Sequence, residues 1–140
     1  MSGYLEHALQ ECDQAFAMLA GDSTNPALSK HALIMFGVAA ITLDAARAET
    51  TAIPETIEDE TEQSIALSYA IRCCPAHDIS QPVWKLRTPK YRRRYVIAAW
   101  AVDLTDLNGR AFALEHVGGP GILRHLATHL RGKGVIGPLT

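Results

Sequence analysis

The stretch over residues 30–48 constrains the fold most, because apolar side chains surround it on nearly every side. Its apolar members are Ala32, Leu33, Ile34, Met35, Phe36, Val38, Ala39, Ala40, Ile41 and Leu43. A helix without a polar face needs neighbours around it, as in the middle of a small bundle. The charged residues Asp44 and Arg47 mark the end of this segment that reaches water. The sequence therefore predicts a helix over 30–48 within a mainly helical fold.

Two further helices are predicted on either side of this segment. Along residues 3–20, apolar residues recur at spacings of four, three, four and three, which places them on one stripe of a helix. They are Leu5, Leu9, Cys12, Phe16 and Leu19. A helix over 58–73 begins with acidic residues, which favour the positive end of the helix dipole. It must end near Cys73, because Pro75 lacks an amide hydrogen and disfavours helical backbone in the residue before it.

The C-terminal part of the chain shows a pattern that predicts β structure. Residues 95–102 form a continuous apolar run typical of a strand, with 83–86 as a short partner. Asn108-Gly109 is a two-residue loop of the kind that a type I′ turn prefers, so a hairpin is predicted over Leu104 to Leu114. A short terminal helix is predicted over Ile122 to Leu130, and residues 132–140 are expected to form a flexible tail.

Length and composition predict a single domain. The chain has 140 residues, of which 48% are hydrophobic, and a formal net charge of −2; these values suit one core. We expect a bundle over 1–80, the hairpin and short helix over 81–131, and the tail over 132–140. The sequence shows no apolar run of about 20 residues for a bilayer and no signal-peptide pattern. Its three cysteines are an odd number, so we predict a cytoplasmic protein with reduced thiols.

The segment Arg72-Cys-Cys-Pro-Ala-His77 is the most pointed functional feature. It places a permanent cation in the last turn of the third helix, and just beyond it a group that titrates near neutrality. Arginine binds phosphate oxygens in bidentate fashion and stabilises charge that develops on them. Histidine can move a proton to or from a ribose hydroxyl near neutral pH. The pair therefore favours phosphate chemistry on RNA.

With these residues and the three predicted helices, the chain resembles the HEPN family, small helical bundles marked by an Arg-x(4–6)-His motif at a helix boundary. The resemblance covers roughly half of the chain. It implies a homodimer whose two motifs face each other, and a metal-independent endoribonuclease in which the ribose 2′-hydroxyl attacks the adjacent phosphorus. By this resemblance, Arg72 holds and neutralises the scissile phosphate, and His77 is the general acid or base. We expect no cofactor.

A basic run follows the motif. It carries six of the chain's 13 basic residues and no acid. These are Lys85, Arg87, Lys90, Arg92, Arg93 and Arg94. The aromatic residues Trp84, Tyr91 and Tyr95 alternate with them, a composition that can meet phosphates and stack on unpaired bases. We therefore predict that the six cations bind RNA. The alternative is that they protect a sheet edge from pairing with other chains.

Three other interpretations of the motif stay open. In a purely structural one, Arg72 pairs with an acid such as Asp78 and His77 caps the helix. In another, the bundle is a non-catalytic dimerisation or protein-interaction module, since Cys73 follows the arginine where active HEPN members commonly carry a polar residue. A thiol nucleophile at Cys73 or Cys74, activated by His77, is the third, and it ranks below RNA cleavage because a cysteine at the end of a packed helix is usually buried.

Two C-terminal patterns could bind ligands. His125 and His129 lie one helical turn apart and with Glu115 or His116 could bind zinc, but the glutamate of a His-Glu-x-x-His motif is missing. The loop over 118–121 is rich in glycine but lacks the Lys-Ser or Lys-Thr of a P-loop. We therefore expect no metal site and a plain connecting loop.

Overall fold

The computed structural model describes residues 2–137 and has a mainly helical architecture, as the sequence predicts. The elements are α1 (Ser2–Gly21), α2 (Pro26–Ala48), α3 (Glu60–Cys73), β1 (Arg94–Ile97), β2 (Trp100–Asp103) and α4 (Ile122–Gly132). Short 3₁₀ turns at Pro89–Tyr91 and Leu114–Val117 complete the described chain. The three predicted N-terminal helices and the terminal helix are confirmed.

Helix α2 lies in the middle of the bundle, where it packs against α1, α3 and α4. It begins at Pro26, whose fixed φ suits a first helical position, and the Asn25 side chain caps it by accepting hydrogen bonds from the amides of Ala27 and Leu28. By length and mean hydropathy, α2 meets a test for membrane-spanning helices that the core helix of a soluble protein also passes. Here its buried side chains form one core with those of α1, α3 and α4.

Helix α3 begins and ends where its sequence signals lie. Asp59 accepts a hydrogen bond from the amide of Glu62, and the Glu62 side chain accepts one from the amide of Asp59, which together form a capping box. At the other end, the amide of Cys74 bonds to the carbonyl oxygen of Ile71, and Pro75 prevents a further turn. Arg72 therefore lies in the last turn and His77 just beyond it, as predicted.

The prediction of one continuous strand over 95–102 is wrong. The segment folds back on itself as the β1–β2 hairpin, with Arg94 opposite Asp103 and Ile97 opposite Trp100. The turn is made by Ala98 and Ala99, which both have positive φ, at 46° and 69°. Positive φ is unfavourable for alanine. Glycine and asparagine, the residues that usually signal such a turn, are absent here. The hairpin is fixed from α3 instead, because Glu60 accepts a hydrogen bond of 2.6 Å from the amide of Ala98.

The second predicted hairpin, over 104–114, is also wrong, although Asn108-Gly109 does form a turn with φ of +82° at Gly109. The polar groups of this turn form hydrogen bonds with the segment near Trp84 rather than closing a hairpin. The amide of Gly109 donates to the carbonyl oxygen of Trp84, and the Asn108 side chain accepts from the amide of Leu86. The segment over 83–86 is thus a partner of residues 108–111, with one bridge between Val83 and Ala111.

The C-terminal segment after α4 packs against the core as far as it is described. Val135 and Ile136 are buried, the amide of Val135 bonds to Leu130, and the Thr50 hydroxyl donates to the carbonyl oxygen of Val135. A flexible tail is therefore wrong for 133–137, because two apolar residues there complete the core; 138–140 lie outside the described residues.

In the loop over 118–121, a Cβ on Gly118 would lie 2.8 Å from the Trp100 indole nitrogen, so close packing explains this glycine.

Candidate functional site

An open groove of about 310 Å³ lies between the C-terminal end of α3 and the segment over 85–91. Its lining consists of Tyr69, Arg72, Cys73, Ala76, His77, Lys85, Arg87, Thr88 and Tyr91. Three of these residues, Arg72, Lys85 and Arg87, are positively charged, and none carries a carboxylate. We call this surface the basic groove. It brings together both residues of the predicted catalytic pair and two of the six predicted RNA-binding cations.

Arg72 is held at the groove by a buried carboxylate on α2. Its Nε lies 4.0 Å from Asp44 Oδ2, and its side chain is 40% exposed. Asp44 and Arg47 are both buried, so the prediction that they mark a water-exposed end is wrong, and Asp44 accepts hydrogen bonds of 2.6 and 3.1 Å from Arg47. A buried carboxylate is costly unless it is paired. Because Arg47 makes the closer contacts with Asp44, Arg72 has only the longer one, and the exposed part of its guanidinium can meet an anion in the groove.

The structural alternative pairs Arg72 with an acid such as Asp78, and the acid in the structure is Asp44 rather than Asp78. Asp78 instead accepts hydrogen bonds from the Ser80 hydroxyl at 2.7 Å and from the Ser80 amide at 3.0 Å. These bonds hold the pKa of the exposed Asp78 carboxyl below its ordinary value. Helix α3 is capped by the amide of Cys74 rather than by His77. The predicted structural pairing of Arg72 with an acid is therefore met by Asp44, whereas the predicted cap by His77 is wrong.

His77 is exposed on the turn after α3, and it forms no hydrogen bond or ion pair with any residue in the described range 2–137. The position of this turn depends on Gly37 of α2. A Cβ at Gly37 would lie 3.0 Å from Pro75 Cβ and 3.1 Å from Ile79 Cγ1, so the turn packs directly on the α2 backbone. Close packing on both sides of His77 fixes the backbone while its imidazole stays available to a ligand.

Lys85 and Arg87 form the opposite wall of the groove, and we call them the groove cations. Arg87 is exposed and Lys85 is half-buried. Within residues 2–137, neither side chain is engaged in an ion pair or a hydrogen bond. Their positive charge is therefore not neutralised locally, and together with Arg72 they make the groove attractive to an anion that reaches across it.

Three other residues of the basic run have different contacts, and we call Lys90, Arg92 and Arg93 the brace cations. Lys90 donates to the carbonyl oxygen of Pro54 at 3.0 Å, and the guanidinium of Arg93 donates to that of Ile57. Arg92 donates to the carbonyl oxygens of Leu86 and Arg87, at 2.6 and 3.1 Å. These bonds satisfy carbonyl groups that no helix or sheet pairs.

Arg94 belongs to neither group. It is exposed on β1, away from the residues that line the groove. Arg94 therefore suits the alternative in which a cation protects a strand, and the structure divides the six predicted RNA-binding residues among three environments.

The aromatic residues of the basic run are largely in the core. Trp84 and Tyr95 are 0% exposed. The Trp84 indole N–H donates to His116, and the Tyr95 hydroxyl donates to the carbonyl oxygen of Tyr91. Neither ring is available to a base. Burial raises the pKa of Tyr95, so its hydroxyl stays protonated as a donor.

Tyr69 is the aromatic residue of the groove that the sequence analysis missed. Its ring centroid lies 5.5 Å from that of Tyr91 at an angle of 40°, and the Arg72 guanidinium carbon lies 6.0 Å from it. A hydrogen bond with Cys73 raises the pKa of the Tyr69 hydroxyl, and the Coulombic effect of that thiol and partial burial act in the same direction. Its position three residues before Arg72 was the available signal, because residues i and i+3 share a helix face.

The three cysteines are free in the structure, and only Cys73 lines the groove. Cys12 and Cys74 are buried. Burial raises the pKa of the Cys12 thiol to about 12, and burial likewise raises the pKa of Cys74. Both buried thiols are therefore inert near neutral pH.

Two histidines of the cluster near α4, His116 and His125, contact protein groups. The His125 Nε2 atom lies 2.7 Å from the carbonyl oxygen of Ile97. His116 Nδ1 accepts a hydrogen bond of 2.9 Å from the indole of Trp84. Across residues 2–137, no three side chains of His, Cys, Asp or Glu are grouped so that they could hold a metal ion.

Comparison with known proteins adds no relative: no family model matches this chain, nor does any curated protein or solved structure. The candidate function therefore depends on the geometry and charge of the basic groove.

Proposed function

We propose that the basic groove binds the phosphate backbone of RNA and that a homodimer of this chain cleaves the bound strand without a metal ion. One observation carries the proposal. Arg72, His77, Lys85 and Arg87 line one open groove that has no carboxylate in its lining. An arginine, two further cations and an exposed imidazole match what an RNA phosphate and its neighbouring hydroxyl require. The resemblance of the motif to the HEPN family gives the same chemistry.

In the proposed reaction, the ribose 2′-oxygen attacks the adjacent phosphorus and the bond to the 5′-oxygen of the next nucleotide breaks. The products are a 2′,3′-cyclic phosphate and a free 5′-hydroxyl. Arg72 binds the phosphate oxygens, where negative charge increases as the fifth oxygen approaches. His77 either accepts the proton of the 2′-hydroxyl or donates one to the leaving 5′-oxygen.

A homodimer is part of the proposal because the two proton transfers need two groups. The groove of a single chain contains one histidine, His77. A second copy facing the first would supply the other imidazole. The exposed side of α2 offers apolar surface for such a partner, since Val38 and Ile41 are 38% and 36% exposed, and half-buried Ile34 lies on the same side.

The first experiment incubates RNA with wild-type protein in EDTA and identifies the new ends by mass spectrometry. We expect 2′,3′-cyclic phosphate ends from the wild type, and cleavage by His77→Ala lower by about 10²- to 10⁴-fold with RNA binding retained. His7→Ala is the matched control, because His7 is also an exposed histidine but lies on α1, outside the groove. Equal cleavage by wild type and His77→Ala would show that a contaminating nuclease is responsible.

The second candidate function is a non-catalytic dimerisation or interaction module. The exposed apolar residues Val38 and Ile41 favour it, because they suit a protein partner and take no part in the groove. RNA binding without cleavage would restrict the groove to a binding role. A well-folded dimer with neither activity would support the interaction module.

A further inference from the structure

Tyr69 has a position that none of the proposed catalytic roles uses. It lies on α3 one helical turn before Arg72 and Cys73, and its half-buried ring lines the basic groove. Tyr91 packs on it at a ring separation of 5.5 Å, which supports the ring from the side of the core. A rigid, partly exposed aromatic ring beside free cations is the combination that proteins use to bind unpaired nucleotides.

The exposed part of the Tyr69 ring faces the basic groove, with the Arg72 guanidinium above it. The Arg72 guanidinium carbon lies 6.0 Å from the ring centroid, which is near the outer limit for a cation–π contact, so the guanidinium is only loosely placed over the ring. A flat base therefore has an accessible aromatic surface beside the guanidinium. Trp84 and Tyr95 cannot take this role, since both are fully buried.

We propose that Tyr69 stacks on one unpaired base of the RNA, so that the phosphate next to this base reaches Arg72. This inference rests on the proposed function of the groove and adds the class of substrate: a single strand, held by the face of a base rather than by its edge. Because every base has a π face, the contact tolerates different sequences, whereas a base within a duplex is covered by its neighbours.

The charge state of Tyr69 agrees with this role. Its hydrogen bond with Cys73 raises the pKa of the hydroxyl, so the ring stays neutral under physiological conditions. A phenolate would repel the phosphates that Arg72 and the groove cations attract. Tyr69 is therefore a neutral aromatic surface, which suits stacking better than proton transfer.

The test measures binding of fluorescein-labelled 2′-O-methyl RNA, which lacks the attacking hydroxyl, by fluorescence anisotropy. Each variant is titrated with a single strand and with a duplex of the same length. We expect Tyr69→Leu to weaken single-strand binding on the order of tenfold and to leave duplex binding unchanged within twofold. Tyr69→Phe keeps the ring and should bind like wild type. Tyr4→Leu is the matched control, because Tyr4 is 73% exposed on α1 and lies outside the groove.

Equal loss with single strand and duplex, or no loss with either, would overturn the stacking role and leave RNA binding by the groove intact. Wild-type protein that binds neither RNA would defeat the proposed function as well. If Tyr69→Leu does not fold, photo-crosslinking of wild-type protein to an RNA containing 4-thiouridine decides the matter. An adduct on the peptide that contains Tyr69 is expected, and adducts confined to other peptides would contradict the inference.

Discussion

The groove cations and the brace cations come from one continuous basic run, yet they have opposite environments. Lys85 and Arg87 face an open groove, with no partner in the described part of the chain, whereas Arg93 ends on the carbonyl oxygen of Ile57 and Lys90 on that of Pro54. The difference shows that local charge density does not tell which cations are free to meet a phosphate. What matters is whether each cation already has an acceptor, because a cation that satisfies a protein carbonyl has less to offer a phosphate.

The largest effect should come from the arginine at the centre of the groove. Arg72→Ala removes the guanidinium proposed to bind the scissile phosphate, so we expect RNA cleavage to fall at least as much as in His77→Ala, by about 10²- to 10⁴-fold. The melting temperature should change little, because Asp44 keeps its closer partner Arg47. Cleavage rates and thermal denaturation of the same preparation check both statements. A variant that cleaves normally would remove Arg72 from the mechanism.

The brace cations should affect stability instead. Arg93→Ala breaks a charged hydrogen bond to the carbonyl oxygen of Ile57, and we expect the free energy of unfolding to fall by about 1.5–3 kcal/mol. Arg94→Ala is the matched control, since Arg94 is the adjacent arginine and is exposed. Urea denaturation measures both variants. If Arg93→Ala kept wild-type stability and lost RNA binding, the division between brace and groove cations would be wrong.

The groove cations should affect affinity without affecting stability. We expect the double variant Lys85→Ala/Arg87→Ala to bind single-stranded 2′-O-methyl RNA about tenfold more weakly at low salt. The slope of log K against log salt should decrease in magnitude by about 1.4, because each lost phosphate contact on a single strand contributes about 0.7. Arg110→Ala is the control, as Arg110 is exposed outside the groove. An unchanged slope would mean that the pair does not touch phosphate.

The smallest effect should be that of a chemical label in the groove. At pH 8, iodoacetamide should modify Cys73 and leave Cys12 and Cys74 intact, because burial raises the pKa values of those two thiols and excludes the reagent. As the pH rises toward 12, Cys12 should begin to ionise and the folded state should lose stability, since the unfolded thiol ionises first. Mass spectrometry locates the label. We expect the RNA affinity of the Cys73-labelled protein to drop a few-fold. A label on Cys74 in folded protein would contradict its burial.

The helices were predictable because their signals are local. The acidic first turn marks the start of α3 and Pro75 its end, whereas α2 begins at Pro26, four residues before the predicted start at residue 30. The mainly helical class, the position of Arg72 in the last turn and that of His77 beyond it all follow from these residues. Periodicity and caps depend on neighbours along the chain, so a single sequence contains them.

The C-terminal part was not predictable in the same way, because contacts distant in sequence decide it. The Ala98-Ala99 turn has no sequence signal and depends on Glu60, 38 positions before Ala98. Asn108-Gly109 forms a turn as expected, but its hydrogen bonds go to Trp84 and Leu86 rather than to a hairpin partner.

The candidate site shows the same limit. The motif and the basic run could be located in the sequence, whereas the division of the six cations required the carbonyl groups that three of them meet. Tyr69 was missed because a tyrosine within a helical stripe has the appearance of a core residue, and only the open groove beside it distinguishes it.

The most direct test of the account is an NMR titration of the wild-type protein with single-stranded 2′-O-methyl RNA. We predict amide chemical-shift changes concentrated at residues 69–77 and 85–88, on the two walls of the basic groove. The amides of residues 54–57, where Ile57 accepts a hydrogen bond from Arg93, should change little. The same holds for the amides of β1, which contains Arg94. Changes concentrated on β1 and 54–57 with a silent groove, or no change at any amide, would contradict the claim that the groove is the RNA-binding surface.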